Sequence, residues 1–290
     1  MPIRKAVLPV AGFGTRVLPA TKAVPKELLP VVDRPALQYV VDEAIEAGIE
    51  HIVFVTGRGK GAIEDYFDLA YELEANLRSK ASKADILADV EKTRLPAGGA
   101  SFTRQQEALG LGHAIWCAKD IIGHEPFAIL LPDVIVKAKQ SCLSQMVGAY
   151  DRVGGNIIAV DPVPEDRVSS YGVIAPKNRD GRLIEMSGMV EKPPVADAPS
   201  NLAITGRYIL QPDIFELLAN QATGAGGEIQ LTDAMARLME MQAFYAYEFE
   251  GRPYDCGSKL GYFEAVLAHA VDHDEIGSAA QDLLKAYGSD

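Results

Sequence analysis

Residues 11–16 read Ala-Gly-Phe-Gly-Thr-Arg directly after the apolar run Lys5–Val10. Small residues there let the backbone approach a phosphate or a base closely, and its N–H groups supply donors. Arg16, Lys22 and Lys26 follow close behind. Cations so near a glycine turn suit a triphosphate. Charge runs are more often solvated loops, and spacing alone leaves both readings open. A dinucleotide fingerprint is disfavoured, because the third glycine position holds Val17 and both Pro19 and Pro25 interrupt the helix that must follow. A Walker loop is absent. Gly57-Arg58-Gly59-Lys60-Gly61 resembles one superficially and reads as a loop before a helix. His269 and His273 stand at i, i+4, but neither a third ligand nor an H-E-x-x-H glutamate accompanies them, so they read as a solvated helix face.

The elements that must position these residues follow from apolar spacing. Lys5–Val10 predicts a buried first strand. Pro35 opens a helix whose Leu37, Val40, Val41, Ala44 and Ile45 repeat at helical spacing until Gly48, and Ile52–Val55 predicts a second strand. Together they make a βαβ unit with a parallel strand pair and a right-handed crossover. Polar helical stretches between Ile63 and Lys92 end at Pro96–Gly99. A strand at Ser101–Arg104, a helix at Gly112–Lys119 and a strand at Phe127–Leu131 follow, the last closed by Pro132 and Asp133. Gln140–Val153 predicts a helix and Asn156–Val160 a strand. After Pro162, strand-like pieces at Tyr171–Ala175, Arg182–Met189 and Ala203–Leu210 alternate with Gly and Pro turns, predicting an antiparallel flap. Ser258 caps a last helix with Phe263, Val266, Leu267 and Ala270 on one face. The fold class is α/β: a Rossmann-like mixed sheet flanked by helices, with an inserted antiparallel lobe and a helical C-terminal segment. It is read as a single domain over 1–290, with a first side mainly 1–135, a second mainly 160–256 and the helical segment at 258–290.

The chain has 290 residues, 48% of them hydrophobic, enough for one sizeable core. Its formal net charge of −12 argues against a general nucleic-acid or anionic-membrane partner. An anionic substrate stays open, because a few cations gathered in one cleft can hold it. No apolar segment approaches the roughly 20 residues that span a bilayer. The start passes straight into the first apolar run without a signal peptide, and Cys117, Cys142 and Cys256 form no CxxC pair. Both features predict a reducing cytoplasm. Trp116 reads as core, and Cys256 as packing rather than a nucleophile.

The Ala11–Arg16 loop followed by Pro25-Lys26-Glu27-Leu28-Leu29-Pro30 resembles the signature of nucleotidyltransferases that activate sugar 1-phosphates. Further matches follow in order: Ala108–Ala114, Leu131-Pro132-Asp133, Val190-Glu191-Lys192-Pro193, Gly227–Asp233 and Tyr254–Lys259. The last two point to the uridylyl branch. One departure is Val134, where many relatives carry a second acidic residue. The resemblance implies that the backbone of Ala11, Gly12 and Gly14, with Gln106, faces the uracil, and that Gly112 leaves room for the base or ribose. Arg16 and Lys26 would neutralise the triphosphate, Asp133 and Asp255 would hold Mg²⁺, and Lys192 would bind the phosphate of glucose 1-phosphate. Glu191 and Gly172 would bind sugar hydroxyls, with Glu27, Thr205 and Gly206 closing the pocket. It also implies a homo-oligomer, dimer or tetramer, with the C-terminal segment as a candidate for subunit contacts.

The implied reaction is displacement at the α-phosphorus of UTP by a phosphate oxygen of glucose 1-phosphate, giving UDP-glucose and pyrophosphate. The nucleophile is already an anion, so the chemistry needs positioning and charge neutralisation rather than a general base. The rival substrates are dTTP and ATP. Two other classes are a metal-dependent glycosyltransferase, whose Asp-x-Asp pair is missing because Ile135 is apolar, and a non-catalytic nucleotide-sugar sensor.

Overall fold

The first apolar run is strand β1 (Lys5–Pro9), with Ala6, Val7 and Leu8 fully buried. Side chains on both faces are covered, as in the interior of a parallel sheet with helices on either side. The computed structural model describes residues 1–220 and 227–288, so the last two residues of the 258–290 segment lie outside the described residues. Pro19 and Pro25 do exclude an α-helix after the glycine loop, and the chain turns instead through short 3₁₀ segments between Thr15 and Leu28. A two-residue pair, β2 (Pro30–Val31) and β3 (Arg34–Pro35), leads into α1 (Ala36–Glu46). Gly48, at φ 87°, turns the chain out of that helix into β4 (His51–Thr56). Val7 lies opposite Val53 in a parallel pair, so the βαβ unit stands as expected.

Helices α2 (Gly61–Phe67), α3 (Tyr71–Arg78) and α4 (Ala84–Lys92) fill the polar stretch. They lead to β5 (Ala100–Arg104), α5 (Leu111–Trp116), α6 (Lys119–Ile122) and β6 (Phe127–Leu130). Then come β7 (Val134–Lys137), α7 (Cys142–Val153), β8 (Asn156–Pro162), β9 (Gly172–Asp180), β10 (Leu183–Glu191) and β11 (Leu202–Leu210). The chain closes with α8 (Ile214–Ala219), α9 (Leu231–Met239), β12 (Phe244–Glu248), β13 (Arg252–Asp255), α10 (Lys259–Ala270) and α11 (Gly277–Tyr287).

One mixed sheet runs β5-β4-β1-β6-β11-β8-β12-β10-β9. Its β5, β4, β1 and β6 are mutually parallel, and β11 runs antiparallel to both β6 and β8. The sheet corrects one expectation. The β9–β10 hairpin is the antiparallel lobe, and the start of β11 joins it with Ala203 opposite Val173, but most of 203–210 lies between β6 and β8 rather than at the periphery. It is a central strand, and its burial on nearly every residue, rather than on alternate ones, is the physical mark of that place. The short strands β7 and β13 also went unforeseen. They pair with each other beyond the main sheet, Asp255 opposite Val134.

Side chains alternate between two cores. Val7, Val53, Ile129 and Tyr208 face α5, α8 and α9, while Leu8, Phe54, Leu130 and Ile209 face α1 and α7. A third, smaller cluster joins Ile135, Tyr254 and Cys256 to Ala265 of α10. Ser258 caps α10 as predicted, its Oγ accepting the Gly261 N–H at 3.1 Å. The buried face is only partly the predicted one: Val266 packs inward as expected, but Phe263 is 57% exposed, and Ala265 and Tyr262 are covered in its place. Apolar residues surround this helix, so spacing could not say which face would be covered. His269 is likewise not on a solvated face. It is half-buried, its ring 4.7 Å from that of Tyr39 and its Nδ1 2.9 Å from the Ala265 carbonyl, and burial pulls its pKa down. His273 pairs with Asp33 at 3.1 Å. Trp116 is half-buried against the first core. All three cysteines are free thiols.

Candidate active site

The glycine loop is shaped by its neighbours. Gly14 has φ 66°, and a Cβ there would lie 3.1 Å from Cβ of Lys26. Thr21 Oγ1 donates to the Gly14 carbonyl at 2.8 Å, holding the loop shut. Ala11 is packed from behind by Gly57, where a Cβ would come within 2.9 Å of the Ala11 carbonyl. Glycine at 57 thus serves the loop, and the Gly57–Gly61 stretch stands before α2 as predicted. Gly12 is exposed, with Lys26 Cε at 4.0 Å from its would-be Cβ. Lys26 then reaches over the end of β6, and its Nζ donates to Asp133 Oδ2 at 2.7 Å.

Asp133 and Asp255 arrive from distant parts of the chain and meet. The β7–β13 pairing places them together, and the Asp133 carbonyl accepts the Cys256 N–H at 2.7 Å. Gly257 shows how near they are: a Cβ there would lie 2.9 Å from Asp255 Oδ1 and 3.0 Å from Asp133 Oδ2. The Gly257 N–H donates to Asp255 Oδ1 at 2.9 Å. Burial pushes the Asp133 carboxyl up, but Lys26 beside it and Arg16 further out outweigh that and hold it below the usual range. Cys256, between the two acids in chain order, has its thiol pushed up to about 12, first by burial and then by Asp255 and Asp133. A thiol so protonated is packing, not a nucleophile.

These carboxylates open onto a cleft of about 680 Å³ that also holds Arg16, Gly172, Glu191, Lys192, Thr205 and Gly206. Glu191 Oε2 accepts from Thr232 Oγ1 at 2.9 Å and lies 3.0 Å from where a Cβ on Gly172 would be. Lys192 has φ 46°, unusual for a residue with a Cβ, and its N–H donates to the Tyr171 carbonyl at 3.0 Å. Its side chain is 63% exposed, with Glu191 Oε1 at 3.4 Å from Nζ. Asp161, Arg167 and Tyr208 line the same cleft and escaped notice in the sequence. The signal for Asp161 is its place at the carboxyl end of β8, where open α/β sheets seat ligands.

Three expected site residues go elsewhere. Glu27 is 2% exposed and outside the cleft, its Oε2 accepting from Lys60 Nζ at 2.7 Å. Burial raises its pKa against the pull of Lys60 and Lys26. Gly112 is packed against protein and does not line the cleft. Its would-be Cβ meets Ile229 O and Leu218 Cδ2, each at 2.8 Å, so glycine is needed there for packing. Gln106 is exposed on the loop after β5 and does not line the cleft. Its buried neighbour Gln105 braces that loop, with Nε2 on the Gly110 carbonyl at 3.0 Å and 3.1 Å from His113 Nδ1.

The model of the nucleotidyl transferase family matches residues 5–271. The UTP–glucose-1-phosphate uridylyltransferase of Bacillus subtilis (strain 168) is 51% identical over 274 residues, 94% of this chain and 93% of that protein. A structure of UTP-bound UGPase from Acinetobacter baumannii has 47% identity and a TM-score of 0.90, covering 97% of this chain and 98% of that one. A UDP-glucose pyrophosphorylase complexed with UDP-glucose has 44% identity and a TM-score of 0.82, covering 92% and 98%.

Proposed function

This chain belongs to the nucleotidyl transferase family, and from that premise we propose that it transfers the uridylyl group of UTP to glucose 1-phosphate. A phosphate oxygen of glucose 1-phosphate forms a bond to the α-phosphorus of UTP. The bond from that phosphorus to the β-phosphate oxygen breaks, pyrophosphate leaves, and UDP-glucose remains. The observation that carries the reading is the meeting of Asp133 and Asp255 around Gly257, with Lys26 on one side and Lys192 across the same cleft. Relatives alike over nearly their whole length, one solved with UTP and one with UDP-glucose, support the choice of substrates.

Members of this family generally use a divalent metal, and here we assign Mg²⁺ to Asp133 and Asp255. Among the described residues no group of three or more His, Cys, Asp and Glu could hold a metal. Two converging carboxylates suit Mg²⁺, which takes one or two such ligands and fills its remaining positions with phosphate oxygens and water. Bound there, the ion would neutralise phosphate charge as it builds up at the leaving group. Arg16 and Lys26 answer the remaining charge of the triphosphate, Lys192 grips the phosphate of glucose 1-phosphate, and Glu191, Gly172, Thr205 and Gly206 receive the sugar. The Ala11–Gly14 backbone faces the base. No residue acts as a general base, because the attacking oxygen already carries its charge.

The whole chain acts as one nucleotidyltransferase domain in the cytoplasm. Among the described residues no helix is long and apolar enough to cross a membrane. The assembly is a homo-oligomer, dimer or tetramer, joined through the C-terminal helices, where Leu260, Phe263, Leu283 and Tyr287 are exposed. The test is pyrophosphate release with glucose 1-phosphate and Mg²⁺, comparing UTP, dTTP, ATP, CTP and GTP. UTP should lead. Turnover with dTTP should be detectable but slower, since thymine differs from uracil by one methyl group, which changes pocket binding by only about 1–3 kcal/mol, and the sugar loses its 2′-hydroxyl. A different leading triphosphate would overturn the substrate and keep the chemistry. Release from none would return the glycosyltransferase and sensor readings.

A further inference from the structure

We propose that Arg207 of β11 is a positioning residue for the metal-bearing turn, setting where the Asp133 carboxylate stands without touching substrate. This rests on the reading of Asp133 as a metal ligand. Arg207 is completely buried. Its Nε and Nη2 donate to the two oxygens of Glu43, at 3.0 and 2.8 Å. The remaining contacts go to backbone: Nη1 to the Leu131 carbonyl at 3.1 Å and the Gly206 carbonyl at 3.3 Å, and Nη2 to the Val134 carbonyl at 2.7 Å. A guanidinium has five N–H groups, and these contacts occupy its full donor capacity.

The carbonyls of Leu131 and Val134 bracket Pro132 and Asp133. One planar fork therefore grips the chain on both sides of the acid. The same strand holds the turn a second time, since the Gly206 carbonyl accepts the Leu131 N–H at 2.9 Å. Val134 is also the residue opposite Asp255 in the β7–β13 pair, so fixing its carbonyl fixes the register that brings the two carboxylates together. Glu43 is anchored in turn, its Oε1 accepting the Leu143 N–H of α7 at 3.0 Å. The path runs from the helix layer through Glu43 and Arg207 to the turn.

Filling space does not account for this arrangement. Apolar residues of similar volume commonly replace a buried ion pair with no loss of stability. They cannot hold two carbonyls either side of an acid at a set distance. Groups that orient a metal ligand are worth roughly tenfold or more in metal affinity.

The test compares Glu43→Leu/Arg207→Met, which removes the pair as a unit, with Arg207→Lys and Asp133→Asn. Mn²⁺ binding to the protein–UTP complex is followed by the loss of the free-ion electron paramagnetic resonance signal, alongside thermal melting and the Mg²⁺ dependence of pyrophosphate release. The double variant leaves the Val134 carbonyl and the Leu143 N–H without these partners and should melt somewhat below the parent, while its Mn²⁺ dissociation constant and half-saturating Mg²⁺ both rise about tenfold. Arg207→Lys, keeping the charge but not the fork, should fall between. Unchanged Mn²⁺ binding with lowered melting would reduce Arg207 to a purely structural role and overturn the inference. If the double variant does not fold, Arg207→Lys decides: weaker Mn²⁺ binding supports the inference and parental binding overturns it. If Asp133→Asn abolishes Mn²⁺ binding and the Arg207 variants do not weaken it, only the positioning role falls. If Asp133→Asn leaves binding intact, the metal reading of Asp133 falls and takes this inference with it.

Discussion

The two sides of the cleft handle charge in opposite ways. On the nucleotide side Lys26 is already matched to Asp133, and behind the cleft Lys60 is matched to Glu27, each at 2.7 Å, while Arg16 stands exposed at the mouth. On the sugar side Lys192 stands 63% exposed on a left-handed backbone, with its nearest carboxylate 3.4 Å away. A matched side is held rigid before any ligand arrives, and the cost of arranging its dipoles is met during folding. An open side can accept a phosphate readily, because the ion-pair partner of Lys192, Glu191, is distant for such a pair and the lysine is largely in solvent. Substitutions on the matched side should therefore disturb stability or metal use, and those on the open side should disturb one substrate alone.

The sharpest way to break this comparison is Asp133→Asn. It should lower kcat/KM for pyrophosphate release by about a thousandfold, comparable to losing a main electrostatic group of an active site. Activity near the parent's would show that the matched pair is structural. Next comes Lys60→Met, which leaves Glu27 buried without its counter-charge and should cost about 3 kcal/mol of unfolding free energy at pH 8. The sign of its pH dependence follows from the raised pKa of Glu27. A carboxyl raised in the folded state binds its proton more tightly there, so its favourable contribution is full below the ordinary carboxylate range and is lost as pH rises through the folded value. Urea denaturation should then show the variant's deficit shrinking as the pH is lowered from 8 to 5, and a deficit independent of pH would contradict the pairing.

On the open side, Lys192→Ala should reduce kcat/KM for glucose 1-phosphate about a hundredfold, the worth of one charge-assisted contact to phosphate. Calorimetric UTP affinity should not change, and an equal loss there would merge the two sides. The smallest effect is expected at their junction. Gly257→Ala places a methyl between the two carboxylates and should raise half-saturating Mg²⁺ about tenfold with little change in melting.

Much of the matched side was legible because tight loops demand particular residue types. Gly14 needs its positive φ, Pro19 and Pro25 forbid a helix, and Asp133 follows an apolar strand. What a linear motif lacks is direction. Glu27 sits beside Lys26 in the same short signature, yet the two side chains point to opposite partners. Gln105 and Gln106 are equally plausible by type, and only the turn after β5 decides that the first is buried. Gly112 is required, but by Ile229 and Leu218, more than a hundred residues away in the chain. The same limit applied to β11. Its apolar run reads as a strand, but a place between β6 and β8 is a property of the whole sheet.

That place has a consequence for the order in which the molecule can be made. Residues 202–210 are synthesised late, yet they supply the strand between β6 and β8 and the guanidinium behind Asp133. A nascent chain that has reached only the end of β8 holds an apolar β6 with one edge uncovered, the kind of edge that invites mispairing. Its signature loop and first acid are both present, but the backing that holds that acid in register is not. Until β11 is in place, the nucleotide half lacks both a neighbour for β6 and the brace behind Asp133.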